Sequence, residues 1–313
     1  MKGLELCERY YEAFGAPMIR EQFPRLEGVI AAGLTGSGSE CYGYDDAVSE
    51  DHDFEPGFCL FLPGEDRVDR RTAFQLERAY AKLPVEFEGY ARPKLAPVGG
   101  QRRGVFRTEE FFRERIGCLP GEMTAEKWLS LPEETLAEAV NGKIFRDDAG
   151  EMTQARETLR HMPEDVRRKR MAGHLLMMAQ SGQYNYRRCL GHGEAGAAQL
   201  AAGEFVKHAM SMAFLLEGKY KPYYKWSFRA LRELPGGEDL ARSLEWLLTT
   251  GNDPETAGDK YFCMEGIASE TIDRLQEQHL TEAVCGDLEK HAYSVNDGIG
   301  DSGIRNLHIL CCV

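Results

Sequence analysis

The chain has 313 residues, of which 42% are apolar and 28% charged, and its formal net charge is −13. That length suits one large or two ordinary domains with a packed core, and charge spread without low-complexity runs excludes a disordered or fibrous chain. A surface this acidic disfavours non-specific binding to nucleic acid or anionic membranes.

The predicted elements follow in chain order. Leu4, Cys7, Tyr10, Tyr11 and Phe14 recur at helical spacing, so residues 3–14 read as an amphipathic helix ended by Gly15 and Pro17. Residues 28–34 form an apolar run before glycines and read as the first core strand. A second strand is expected from Asp51 to Leu62, ended by Pro63-Gly64. Residues 69–82 read as a helix. Val85-Glu-Phe-Glu-Gly89 alternates apolar and acidic residues and reads as a further strand, and residues 92–104 as a loop rich in Gly, Pro and Arg. Gly104–Arg107 is a short strand, with Thr108 capping a helix through Ile116. Residues 142–146 are a last strand ending at Asp147-Asp148. After about residue 150 strand signals nearly vanish. Helices are expected over 164–190, 195–217, 225–234, 238–249 and 266–292. The expected fold class is α/β (α+β): a small mixed-sheet domain over 1–150, then an all-helical bundle over 151–313.

No stretch approaches the length of apolar residues needed to cross a bilayer. Residues 1–20 carry Lys2, Glu5, Glu8 and Arg9 and no signal-peptide pattern. Nine cysteines occur without a C-x-x-C pair or zinc spacing, which fits reduced thiols in a cytoplasmic protein.

The chemistry concentrates between residues 33 and 54. Gly36-Ser37-Gly38-Ser39 is followed, after eleven intervening residues, by Asp51-His52-Asp53. On a strand, residues 51 and 53 point the same way, roughly 6–7 Å apart at Cα. Two carboxylates so close repel each other, and Mg²⁺ turns that cost into ligation. The Gly/Ser segment offers backbone N–H groups and short hydroxyls that phosphate oxygens can approach. Rival readings fail on the residues. An EF-hand counted from Asp51 would need Gly and Glu where Pro56 and Leu62 stand. A His-Asp phosphohydrolase would need an upstream histidine, and His52 is the first in the chain. The bland alternative is that these glycines and aspartates only form turns and caps.

The arrangement resembles the nucleotidyltransferase fold of the DNA polymerase beta superfamily, which carries an apolar residue, Gly-(Gly/Ser), a spacer and Asp-x-(Asp/Glu). Within it the chain looks most similar to an uncharacterised bacterial domain group with a Gly-Ser-Gly-Ser, Gly-x-Asp-Asp, Ser-x-Asp-His-Asp pattern. Gly43, Asp45, Asp46, Ser49, Asp51, His52 and Asp53 match that pattern, and a weaker match runs through Lys219 to Trp226. Polar His52 departs from the apolar residue usual there.

The resemblance implies transfer of a nucleoside monophosphate from an NTP, with ATP the expected donor, to an acceptor, releasing pyrophosphate. Asp51 and Asp53 would be catalytic and would hold Mg²⁺ or Mn²⁺. Gly36, Ser37, Gly38 and Ser39 would grip the phosphates. Glu88 is the first choice for a third carboxylate, with Glu86 and Asp147 as competitors. Lys225, among four aromatic residues and two other lysines, is the expected nucleotide contact from the helical half. The acceptor, a small molecule or a protein, is not readable, and the acidic surface disfavours RNA. A non-catalytic nucleotide sensor or antitoxin-like interaction protein is the second reading. Arg167-Arg168-Lys169-Arg170 is expected to be a solvated charged face.

Overall fold

The computed structural model describes residues 1–48, 54–92 and 102–313. Asp51, His52 and Asp53, on which the metal-binding expectation falls, lie outside the described residues, as does most of the expected 92–104 loop. The chain forms two compact units, each assembled from two segments. One is Met1–Met123 with Thr135–Arg160, the other Thr124–Glu134 with His161–Val313.

The first unit is built on a mixed sheet of β1 (Ala31–Leu34), β2 (Cys59–Leu62), β5 (Gly104–Arg107) and β6 (Lys143–Arg146), in the order β5-β2-β1-β6. β2 runs antiparallel to β1 and parallel to β5, and β6 is antiparallel to β1. Phe58, Leu60 and Leu62 alternate with Cys59 and Phe61, and all five are buried. The sheet is therefore covered on both faces. One face packs on Tyr10 from α1 (Gly3–Tyr10), on Tyr11 just after it, on Met18 and Ile19 from α2 (Ala16–Gln22), and on Leu76 and Tyr80 from α4 (Arg70–Ala81). On the other, Phe61 meets Phe111 of α5 (Thr108–Ile116) edge-on at 5.0 Å. Gly33 is small because β6 is close: a Cβ there would meet the Lys143 carbonyl at 2.6 Å.

Several expectations change in instructive ways. Gly15 and Pro17 do not end the first helix. The chain widens into a π turn over Tyr11–Gly15 and continues into α2. Proline has no N–H to give, and a local shift to wider spacing absorbs the missing bond. Gly15 serves packing, since a Cβ would lie 2.5 Å from the Phe58 ring. The strand expected from Asp51 to Leu62 is regular only over Cys59–Leu62; Phe54–Phe58 is irregular, with Pro56 unable to donate to a ladder. Val85–Gly89 does not join the main sheet. Glu86–Phe87 (β3) pairs instead with Tyr90–Ala91 (β4) in a small hairpin. Thr108 is the first residue of α5 rather than its cap, and its hydroxyl donates to the Leu62 carbonyl at 3.1 Å. Asp69 does cap α4, accepting from the Thr72 N–H at 2.7 Å.

The second unit is helical. Its principal elements are α9 (Glu164–Met178), α11 (Ala195–Leu216), α12 (Tyr224–Arg232), α13 (Gly237–Thr249), α14 (Ala257–Glu277) and α15 (Leu288–Asp297). Phe205, Val206 and every residue from His208 to Leu216 are buried, which makes the second half of α11 a central helix. The helix expected over 266–292 is two helices, with His279 at φ 54° turning the chain between them. The basic run on α9 is only half solvated. Lys169 and Arg170 are buried, Lys169 donating to Asn296 Oδ1 at 2.8 Å and to the Leu307 carbonyl at 2.6 Å. Arg170 donates to the carbonyls of Trp128 and Leu131 at 2.6 and 2.5 Å. Cations here satisfy backbone oxygens that would otherwise be buried unpaired. Among the described residues no helix is long and apolar enough to cross a membrane.

Candidate functional site

The Gly/Ser loop leaves the end of β1 and is clasped by residues about a hundred positions further along the chain. Asn141 follows α7 (Glu133–Val140), and its side-chain amide bonds both sides of Gly36. Nδ2 donates to the Gly36 carbonyl at 2.7 Å, and Oδ1 accepts from the Gly36 N–H at 3.0 Å. Thr35 Oγ1 adds a bond to the Glu138 carbonyl at 2.8 Å. Gly142, at φ 66°, lies so close that a Cβ would stand 2.0 Å from the Leu34 carbonyl oxygen. Its N–H donates to the Cys41 carbonyl at 2.8 Å, in the short α3 (Ser39–Tyr42) that follows the loop. The Asn141-Gly142 turn thus fixes the loop by backbone and amide contacts that tolerate few substitutions.

Gly36, Ser37 and Gly38 line a cavity of about 410 Å³ together with Glu40, Arg115 and Glu138. Glu40 folds back so that a Cβ on Gly38 would meet its carboxylate at 2.3 Å. Arg103 holds Glu40 there. Its Nη2 is 3.1 Å from Glu40 Oε1 and its Nη1 2.7 Å from Glu55 Oε1, and the three side chains are almost wholly buried. Glu40 directly follows the Gly/Ser loop, and Glu55 lies two residues beyond Asp53. One guanidinium therefore joins Glu40 to Glu55. Cys7, Cys41 and Cys59 are also buried in this unit, and burial raises all three thiols, Cys59 to about 12. They are neutral packing groups.

Arg115, near the end of α5, faces Gly36. A Cβ at residue 36 would lie 3.3 Å from its Nη2, and Gly36 has φ 137°. The guanidinium stacks on Phe111 at 3.9 Å from the ring centroid.

The other sequence candidates have identifiable positions. Ser37 and Ser39 are half-buried. Gly43 ends α3 in the left-handed region at φ 73°. Asp45 is buried and accepts from the Gly3 N–H at 2.7 Å, so it anchors the start of α1. Asp46 Oδ1 accepts from the Val48 N–H at 3.1 Å. Those three pattern residues have structural work of their own. Glu86 is exposed on β3, while Glu88 occupies the β3–β4 turn at φ 52° and pairs with Arg9. Asp147 Oδ2 accepts from the Thr153 N–H at 2.7 Å, at the start of α8 (Glu151–Arg160). Lys225 is exposed at the start of α12, its ammonium 4.9 Å from the Trp226 ring centroid. Among the described residues no cluster of three or more His, Cys, Asp or Glu could hold a metal ion. Arg103, Asn141 and Arg115 were not singled out from the sequence. The only signal for any of them is the Asn141-Gly142 pair, a common turn dipeptide.

The helical unit holds a separate polar cluster. Glu133 is buried with Oε1 unpartnered, and burial lifts its carboxyl to about 7 against the opposing pull of Lys221 and Arg170. Lys221 donates to Ser211 Oγ at 2.7 Å. His174 and His208 meet Nδ1 to Nδ1 at 2.8 Å, and burial holds both below the usual imidazole range, His208 at about 4. His208 Nε2 faces Glu204 at 3.3 Å, so it carries the proton; His208 Nδ1 then accepts and His174 Nδ1 donates.

Residues 128–227 match the family model described as Domain of unknown function (DUF4037). No curated protein matches the chain. A solved structure of a nucleotidyltransferase-like protein from Exiguobacterium sibiricum 255-15 aligns over 94% of this chain and 81% of its own, at 15% identity and a TM-score of 0.36.

Proposed function

We propose that the chain is a metal-dependent nucleotidyltransferase that moves an NMP from an NTP, ATP in the first instance, to a small-molecule or protein acceptor with release of pyrophosphate. The observation that carries this reading is the Arg103 bridge. It ties Glu40, next to the Gly/Ser loop, to Glu55, two residues from Asp53. A phosphate loop and a carboxylate pair must be close to act on one triphosphate, and a shared buried guanidinium is a direct way to hold their flanks together.

Asp51 and Asp53 are hard oxygen donors, the chemistry Mg²⁺ or Mn²⁺ requires. The neighbouring carboxylates Glu40 and Glu55 are already engaged by Arg103, which leaves the aspartate pair as the donor set of this motif. When bound, divalent metal supplies Lewis-acid stabilisation of the phosphates and of the acceptor oxygen. The chain's own part is to grip and orient. Gly36, Ser37, Gly38 and Ser39 hold the triphosphate oxygens, with Asn141 keeping the Gly36 peptide fixed. The bond from acceptor oxygen to α-phosphorus forms as the bond to pyrophosphate breaks. The acceptor proton needs a base, for which Glu88 is the proposed carboxylate; its ion pair with Arg9 would have to open first. Lys225 is the proposed nucleotide contact from the helical unit. Lys225→Ala should then raise the KM for NTP more than it lowers kcat.

The test is incubation with α-labelled NTPs, Mg²⁺ and a cell extract, followed by separation of the labelled products. Label moving to one acceptor supports transfer. A nucleotide sensor would bind NTP and leave all label on nucleotide.

A further inference from the structure

We infer that Arg115 is the anion-binding group of the Gly36 cavity and that it anchors a polyphosphate without help from metal. This deepens the nucleotidyltransferase reading and rests on it for the identity of the natural ligand, but the anion site stands on separate observations.

Other half-buried or buried arginines of the same unit have polar partners. Arg103 has Glu40 and Glu55, Arg107 donates to the Pro63 carbonyl, Arg146 pairs with Glu27, and Arg156 donates to the Val140 carbonyl. Arg115 is half-buried, yet among the described residues it makes no hydrogen bond or ion pair. Glu138 and Glu114 favour its charged form from a distance, but burial dominates and pulls it below the usual guanidinium range. A half-buried guanidinium whose N–H groups line a cavity, with no protein acceptor, is free to bind an acceptor that enters there.

The geometry says which ligand. Phe111 holds one face of the guanidinium, so its plane is fixed and its N–H edges stay available. Those edges are beside Gly36, which has no side chain and a φ that other residues rarely adopt. A phosphate lying against Gly36 would meet the N–H edge of Arg115, the fork geometry that suits planar recognition of phosphate oxygens. The cavity, about 410 Å³, accommodates a triphosphate.

The experiment is isothermal titration of sodium tripolyphosphate into the protein in EDTA. The wild type, Arg115→Ala, Arg115→Lys and a control, Arg113→Ala, are compared, with melting temperatures recorded for each. Arg113 is on the same helix, exposed, and lies 3.9 Å from Glu122. The expected result is saturable binding by the wild type and by Arg113→Ala, at least tenfold weaker binding by Arg115→Ala, and intermediate binding by Arg115→Lys. Absence of wild-type binding up to millimolar tripolyphosphate overturns the inference. So does equal affinity in the folded Arg115 variants. Should Arg115→Ala fail to fold, Arg115→Lys decides, since it keeps charge and loses the fork. The two readings fail separately. Arg115-dependent binding without nucleotidyl transfer leaves the anion site and removes the enzyme. Transfer that depends on Asp53 but not on Arg115 does the reverse.

Discussion

Arg103 and Glu40 form an ion pair of 3.1 Å in which neither side chain is more than 9% exposed. Glu55 completes it from the other side at 2.7 Å. Such a group is worth little against a well-packed apolar replacement but costly to break from one end. Arg103→Ala leaves two carboxylates buried without their cation. Urea unfolding should show a loss of about 3–5 kcal/mol. A loss under about 1 kcal/mol would mean that water or another cation reaches Glu40 and Glu55, and the bridge would not be what holds those two residues together.

Asn141→Ala should weaken nucleotide binding more than it weakens the fold. It removes two hydrogen bonds, to the peptides on either side of Gly36, and one from the Thr35 hydroxyl, each worth about 0.5–1.5 kcal/mol. The Gly36 peptide is then free to rotate within the loop. We expect the KM for NTP to rise about tenfold or more, with a melting-temperature fall of a few degrees. An unchanged KM would show that the loop keeps its form without the clasp.

Gly38→Ala probes a different constraint. The added methyl would meet the Glu40 carboxylate at 2.3 Å, and Glu40 is pinned by Arg103 and cannot swing away cheaply. The variant should lose stability by about 1–3 kcal/mol. Glu40→Gln combined with Gly38→Ala should not recover it, because the clash is steric. Ser37→Ala, by contrast, removes a half-buried hydroxyl and should leave the melting temperature nearly unchanged while lowering phosphate affinity. Loss of stability in Ser37→Ala with unchanged affinity would make the loop purely structural.

Much of this frame is legible from residue order. β5 and β6 match the expected short strands, and α4, α11 and α13 match the apolar periodicities almost to the residue. α4 and α13 bury one stripe, and that is what periodicity records, whereas α11 is read from its apolar content. The clasp on the Gly/Ser loop is not legible, because Arg103, Arg115 and Asn141 lie 48 to 105 residues from the polar groups they face. Glu55 to Arg103 and Gly36 to Asn141 mark those limits. Strand order brings them together: β5 and β6 flank the β2–β1 pair and both begin beside the end of β1, so Arg103 and Asn141, which lead into them, converge there. The Arg167–Arg170 run misleads for a related reason. Charge density says nothing about whether buried carbonyls wait nearby, and for Lys169 and Arg170 they do.

Glu133 gives the helical unit a pH signature. Its carboxyl titrates near 7 in the fold, against about 4.3 in an unfolded chain. The folded state therefore binds the proton more tightly. Its contribution to stability is fully present below about pH 4.3 and is lost as pH rises through about 7. His174 and His208 act in the opposite sense, being held neutral by the fold, so the raw pH profile mixes both. Subtracting the Glu133→Gln variant isolates Glu133, which Lys221, Arg170 and Glu134 face. The variant should gain on wild type between pH 5 and 8, by on the order of 3 kcal/mol at the top. A constant difference across that range would mean that Glu133 is ionised throughout.

Asp51 and Asp53 are the residues proposed to carry nucleotide transfer. The most direct measurement is pyrophosphate release from ATP and Mg²⁺ in the presence of the acceptor fraction, with wild type and Asp53→Asn run in parallel. The account predicts metal-dependent release by wild type, suppressed by EDTA, and a fall of two or more orders of magnitude in Asp53→Asn, about 3 kcal/mol in barrier. Release by Asp53→Asn at the wild-type rate, or ATP binding by wild type with no pyrophosphate formed, would contradict it.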